Sequence, residues 1–161
     1  MITNFVNTLK YLTLEIKFHN SKHFAYNVSF NVNDNELKTS SMILKELGNL
    51  LPFSLYYLDL NLVINPNDLQ ILFKNHNQFV ELKRLLIRNR SSRNLDVTLN
   101  VIKEFVKEKN LDFLSYTTRD DSEFYNSLEI LVKEVQSFVK MKNYNDLVLK
   151  LDVDGNLNFN Y

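Results

Sequence analysis

The sequence predicts an α/β fold: a short solenoid of strand–helix units, with a mostly parallel sheet backed by helices and a hairpin at each end. Three observations predict it. A Leu-x-x-Leu-x-Leu pattern, clearest in Leu55-Tyr56-Tyr57-Leu58-Asp59-Leu60, recurs down the chain. Each recurrence runs into a stretch of helical periodicity and a short loop, and the starts Leu55, Leu82, Leu111 and Tyr144 are 27, 29 and 33 residues apart. One strand–helix unit cannot bury its own apolar side, so regular recurrence implies stacking. Finally, the 161 residues include only two Gly and two Pro, too few for a turn-rich β-sandwich or long flexible linkers.

Each element has its own signal. Over 9–18, Leu12, Leu14, Ile16 and Phe18 share one face, because strand side chains alternate. His19-Asn20-Ser21-Lys22 reads as a turn. Phe24, Tyr26, Val28, Phe30 and Val32 then alternate with mostly polar residues, so 23–32 is expected to return as the second arm of a hairpin. That inserted strand explains why the first start, Leu9, lies 46 residues before Leu55. Ile43, Leu44, Leu47, Leu50 and Leu51 predict a helix over 41–51, capped by Ser40 or Ser41 and stopped by Pro52. In the central strand Leu58, Leu60 and Leu62 fall on one face and Tyr57, Asp59 and Asn61 on the other. Asn65 and Pro66 suit the N-cap and first position of the next helix, which runs to 75 with Leu69, Leu72 and Phe73 inward.

The remaining units follow the same plan. A strand over 82–87 and a polar loop lead to a helix over 96–109, with Val97, Val101, Ile102, Phe105 and Val106 as its stripe. A strand over 111–116 and the acidic run Asp120-Asp121-Ser122-Glu123 precede a helix reaching 141, lined by Phe124, Leu128, Leu131, Val135 and Phe138. A fifth strand is expected over 144–149, extended by Leu151 and Val153. The Asp154-Gly155-Asn156 turn and alternating Leu157, Phe159 and Tyr161 close the C-terminal hairpin. The whole of 1–161 reads as a single domain. An ordinary open α/β sheet is the alternative; the near-constant period and the lack of Gly-rich strand-to-helix turns favour the solenoid.

Composition narrows the function classes. Apolar content of 45% is that of a folded chain and not a disordered one. Lys+Arg and Asp+Glu are both 19, so no global field selects for nucleic acid or an anionic membrane. With no Cys there is neither a disulfide framework nor a thiolate metal site. No signal peptide or membrane-length apolar run is visible, so no membrane association is expected and the expected location is intracellular, cytoplasmic or nuclear. On that basis Asn27-Val28-Ser29 and Asn89-Arg90-Ser91 are chance matches to the glycosylation acceptor pattern.

No catalytic constellation recurs with the leucine pattern, and the chain is not expected to be an enzyme or to hold a cofactor or metal. His19 and His23 are spaced like helical metal ligands but flank a turn, and His76 has no partner placed by sequence. Asp152-Val153-Asp154-Gly155 resembles part of a calcium loop, but Lys150 occupies the first ligand position and no closing Glu follows. Two surfaces remain. Lys83, Arg84, Arg88, Arg90 and Arg93 contain four of the five arginines; such a cluster suits carboxylates, phosphates or a nucleic-acid backbone. The second is the sheet face opposite the motif leucines: Tyr11, Thr13 and Glu15; Tyr57, Asp59 and Asn61; Arg84, Leu86 and Arg88; Phe113, Ser115 and Thr117; Asp146, Val148 and Lys150. Its mixture of aromatics, Arg and carboxylates has the composition of a protein-binding face.

Four stretches carry a family resemblance: Leu55 to Leu60 leading into Asn65-Pro66-Asn67-Asp68-Leu69; Glu81-Leu82-Lys83-Arg84-Leu85-Leu86-Ile87-Arg88-Asn89; Asn100-Val101-Ile102-Lys103-Glu104-Phe105-Val106; and Glu134-Val135-Gln136-Ser137-Phe138-Val139-Lys140. Over about residues 9–154 the chain resembles fungal F-box/leucine-rich-repeat-like proteins. The resemblance implies a leucine-rich-repeat-like domain, and a protein-interaction role like that of the substrate-recognition subunits of cullin-type ubiquitin ligases. In those subunits an F-box recruits the ligase and the repeats hold a target. This chain departs from the pattern twice. No F-box is seen ahead of Leu9, so the chain alone is expected not to engage the ligase adaptor. Val63, Arg90 and Arg119 stand where many such repeats place Asn. A small nucleic-acid-binding α/β protein using the Lys83 to Arg93 cluster is the alternative. A salt-dependent shift with oligonucleotides separates the two, since phosphate contacts release counterions.

Overall fold

The computed structural model describes residues 9–16, 34–74, 79–118, 128–151 and 157–159. Alternating leucines in successive units fall into register and build a five-stranded, open, parallel sheet. Its strands are β1 (Tyr11–Glu15), β2 (Tyr57–Leu62), β3 (Arg84–Asn89), β4 (Phe113–Thr118) and the two-residue β5 (Lys140–Met141), neighbouring one another in chain order. Leu12, Leu58, Leu85 and Leu114 lie side by side, as do Leu14, Leu60, Ile87 and Tyr116. The connecting helices are α1 (Asp34–Leu50), α2 (Pro66–Lys74), α3 (Leu95–Glu108) and α4 (Glu129–Gln136). Parallel strands in strict order need crossovers of one hand, which places the helices in one layer. The packing of α1 on α2, α2 on α3 and α3 on α4 agrees with that arrangement.

Between this layer and the sheet runs one continuous core, from Leu44 through Leu60, Leu72, Ile87 and Phe105 to Val139. Phe73 stacks on Phe105 at 3.9 Å, and Phe79 meets both edge-on. Each fully buried Leu contributes about 1.5–3 kcal/mol relative to an exposed one, so these rows supply most of the sheet's stabilisation.

Several boundaries differ from the sequence expectation. α1 begins at Asp34, a whole turn and more ahead of Ser40. Asp34 and Glu36 occupy its first turn, where carboxylates complement the helix dipole. Ser40 is therefore not a cap but a buried side chain inside the helix, and its Oγ accepts a hydrogen bond from the Val63 N–H at 3.2 Å. β3 and β4 start two residues late, because Leu82 and Leu111 are buried in the approach to each strand. On α3 the stripe is rotated. Thr98 and Leu99 are buried whereas Val97 is 44% exposed. α4 stops at Gln136, leaving Phe138 largely outside the core, and Phe124 lies outside the described residues.

The largest correction concerns the fifth strand. Lys140 and Met141 pair with Phe113 and Leu114, and Tyr144–Leu147 forms the four-residue helix α5. Leu147 and Tyr144 are three apart, so one helical turn turns both toward the same side. There Leu147 joins Tyr57 and Leu86 in a second, smaller cluster. The C-terminal hairpin is present: β6 (Leu149–Leu151) pairs antiparallel with β7 (Leu157–Phe159). The predicted second arm of the N-terminal hairpin, 23–32, lies outside the described residues.

Candidate functional site

Strand alternation puts one set of side chains on the sheet face away from α1 to α4. Register aligns them into rows: Tyr11, Tyr57, Arg84 and Phe113; Thr13, Asp59, Leu86 and Ser115; Glu15, Asn61, Arg88 and Thr117. These twelve residues share one face of the sheet, but only some of them are exposed. Tyr57, Asp59, Leu86 and Ser115 are fully buried, and Arg84 and Asn61 nearly so. Thr13 and Glu15 are exposed, and Tyr11, Arg88, Phe113 and Thr117 are half-buried. The remaining three leave the sheet. Asp146 is exposed on α5, Val148 follows α5 and packs against the second cluster, and Lys150 lies in β6.

The cover is aromatic and centred on α5. Tyr11 meets Tyr56 at 6.4 Å and Tyr57 at 6.3 Å. Phe113 is flanked by two cations, with the Arg84 guanidinium 5.4 Å and the Lys142 ammonium 4.7 Å from its ring centre. The Tyr144 hydroxyl donates a 2.5 Å hydrogen bond to Asp59 Oδ2, and the Arg88 guanidinium stacks 4.1 Å over the Tyr144 ring. Burial pushes the Asp59 carboxyl above its ordinary range, opposed by the Tyr144 hydroxyl and the Arg88 charge. Burial also raises the Tyr144 phenol, and its bond to Asp59 raises it further. Along the outer row, Asn61 Nδ2 donates to Glu15 Oε1 at 2.7 Å.

At the carboxyl ends of β2, β3 and β4 this face opens into a cleft of about 240 Å³ lined by Asn61, Arg88, Asn89, Arg90, Thr117 and Thr118. Asn89 is buried. Its Oδ1 accepts from the Ile64 and Ser91 N–H groups, both at 3.0 Å, and its Nδ2 donates to the Tyr116 hydroxyl at 3.3 Å. Burial holds the Tyr116 phenol up at about 12. Arg90 Nη1 donates to the Ile16 carbonyl at 2.6 Å and pairs with Glu36 at 2.9 Å.

The basic cluster is thus largely drawn into the fold. Arg84 and Arg88 lie on aromatic rings, Arg90 ties β1 to α1, and Lys83 Nζ donates to the Asn110 carbonyl at 3.0 Å. Arg93 is exposed. His19, His23, His76 and the Asp152 to Gly155 run lie outside the described residues, among which no group of metal-ligating side chains is found. No helix among the described residues is long and apolar enough to cross a membrane.

Sequence reading missed Tyr144 and Leu147 as parts of this face, because the alternation through Leu147 and Leu149 reads as a strand. It missed Asn89 because the repeat pattern directs attention to the next position, Arg90. No protein-family model, curated protein or solved structure matches the chain.

Proposed function

We propose that the chain is a protein-interaction module, a short leucine-rich-repeat-like solenoid that binds a partner on the sheet face away from its helices. One observation carries this reading. Parallel sheets ordinarily have both faces covered by helices, yet among the described residues the second face has over it only the four-residue α5 and a set of Tyr, Phe and Arg side chains. Thr13, Glu15, Arg88 and Thr117 remain accessible beside that cover and form a shallow, chemically varied strip. Tyr and Arg are the residue types that dominate binding hot spots. The resemblance to F-box/leucine-rich-repeat-like proteins adds a setting, that of a target-holding piece of a ubiquitin ligase. The nucleic-acid reading is weakened by the structural contacts of Lys83, Arg84 and Arg90, which leave few cations of the cluster directed at a phosphate backbone.

The experiment is affinity capture from the native extract with wild type, with Glu15→Arg/Thr117→Arg on the proposed face, and with Ile71→Arg on the exposed side of α2. A partner retained by wild type and Ile71→Arg and lost by the double variant supports the reading. Retention by the double variant moves the interface elsewhere.

A further inference from the structure

We infer that Arg88 anchors a binding site for a single oxyanionic group, a carboxylate or a phosphate, in the cleft at the carboxyl ends of β2, β3 and β4. The cleft lies where the ends of three neighbouring strands meet, between Asn61, Arg88 to Arg90, and Thr117 and Thr118. Arg88 is held for such a role. Its guanidinium lies 4.1 Å over the Tyr144 ring, which fixes the plane and leaves the N–H edge free to point sideways. Among the described residues its buried Nε has no hydrogen-bond acceptor. A buried donor without an acceptor is costly, and a planar guanidinium fork matches the two oxygens of an oxyanion.

The neighbouring groups shape the cleft without satisfying Arg88. Asp59 receives the Tyr144 hydroxyl instead of an ion pair from Arg88. Arg90 is taken by Ile16 and Glu36, and Asn89 by Ile64, Ser91 and Tyr116. Thr117, half-buried on the cleft wall, offers a hydroxyl beside the guanidinium. At about 240 Å³ the cleft is smaller than the roughly 300 Å³ at which pockets for whole drug-sized ligands begin. It fits one charged group and its stem, as presented by a larger molecule. The site rests on the interaction reading above only for the identity of the molecule that carries the group.

The test uses the full chain, titrated separately with inorganic phosphate and with succinate, at ionic strength held constant with chloride. Amide NMR spectra and thermal unfolding are the readouts. Saturable shifts at the Thr117 and Thr118 amides and a raised Tm are expected with at least one anion. A response to phosphate alone assigns a phosphate, and to succinate alone a carboxylate. Arg88→Lys keeps the charge but loses the fork and should bind about tenfold more weakly; Arg88→Ala should not respond. Since Arg88→Ala also removes the stack on Tyr144, Thr117→Val serves as a second variant that keeps it, and should weaken binding with an unchanged folded spectrum. No saturable response in wild type, or an equal response in Arg88→Ala, overturns the site. So does a response that appears only when Asp120, Asp121 and Glu123 are neutralised, which would assign Arg88 to the chain's own acidic run. None of these failures touches the capture experiment, which reads a different property.

Discussion

A carboxylate inside a sheet face must be reconciled with its desolvation, and Asp59 does this with one short bond from Tyr144 and a nearby guanidinium. Desolvation remains the larger influence, so the folded pKa lies above the ordinary 3.8. The folded state therefore binds this proton more tightly than the unfolded chain. The stability contributed by the protonated form is complete below 3.8 and is lost as pH rises through the folded pKa. Comparing urea midpoints of wild type and Asp59→Asn across that range should show wild type losing stability relative to the variant as pH rises; a constant difference would mean that Asp59 does not titrate with folding. Tyr144→Phe leaves the ring under Arg88 but removes the donor, and is expected to cost about 1–3 kcal/mol near neutral pH. Asn89 serves the backbone instead. Its truncation to Ala strands the Ile64 and Ser91 N–H groups, and about 1–3 kcal/mol should disappear from the unfolding free energy for each buried group left without a partner.

At the scale of elements, period-two alternation made β1 to β4 legible, since a slip by one residue would turn every leucine outward. Chain order and parallel pairing followed from the strand–helix alternation. Edges were less legible. Leu82 and Leu111 belong to the pattern but lie outside the strands, because burial does not require ladder pairing. α5 was illegible for a different reason. Tyr144-Asn145-Asp146-Leu147-Val148-Leu149 suits a strand locally, and four residues are too few to display helical periodicity. Its conformation is set by the sheet face beneath it, where Leu147 covers Tyr57 and Leu86. Site exposure was misjudged with it: from sequence, 23–32 and the C-terminal hairpin are the segments that could cover part of the face, whereas Tyr144 to Leu147 reads as part of the sheet itself. Leu147→Ala should destabilise by about 2–5 kcal/mol, near the lower end because its cluster is small. It should also increase binding of an apolar dye, and unchanged dye binding would show that the face is covered by something else.

Across the whole molecule, the main core passes without a break from α1 to the residues before β5. Neighbouring units share side chains such as the Phe73, Phe79 and Phe105 cluster, which joins α2, the loop before β3, and α3. Arg90 adds a long-range tie, linking the end of β3 to the end of β1 and the first turn of α1. Such coupling favours loss of the units together over fraying from one end. Leu60 is the sharpest probe, because it is fully buried in β2 and flanked by Leu14 and Ile87. Leu60→Ala should cost about 2–5 kcal/mol through lost burial and the cavity left behind. If the units unfold together, the midpoint should fall equally whether followed by helix circular dichroism or by tyrosine fluorescence, the natural probe in a chain with eight Tyr and no Trp. Separate transitions would instead mark a stack of independently stable units, in which a change at Leu60 is felt only by its neighbours.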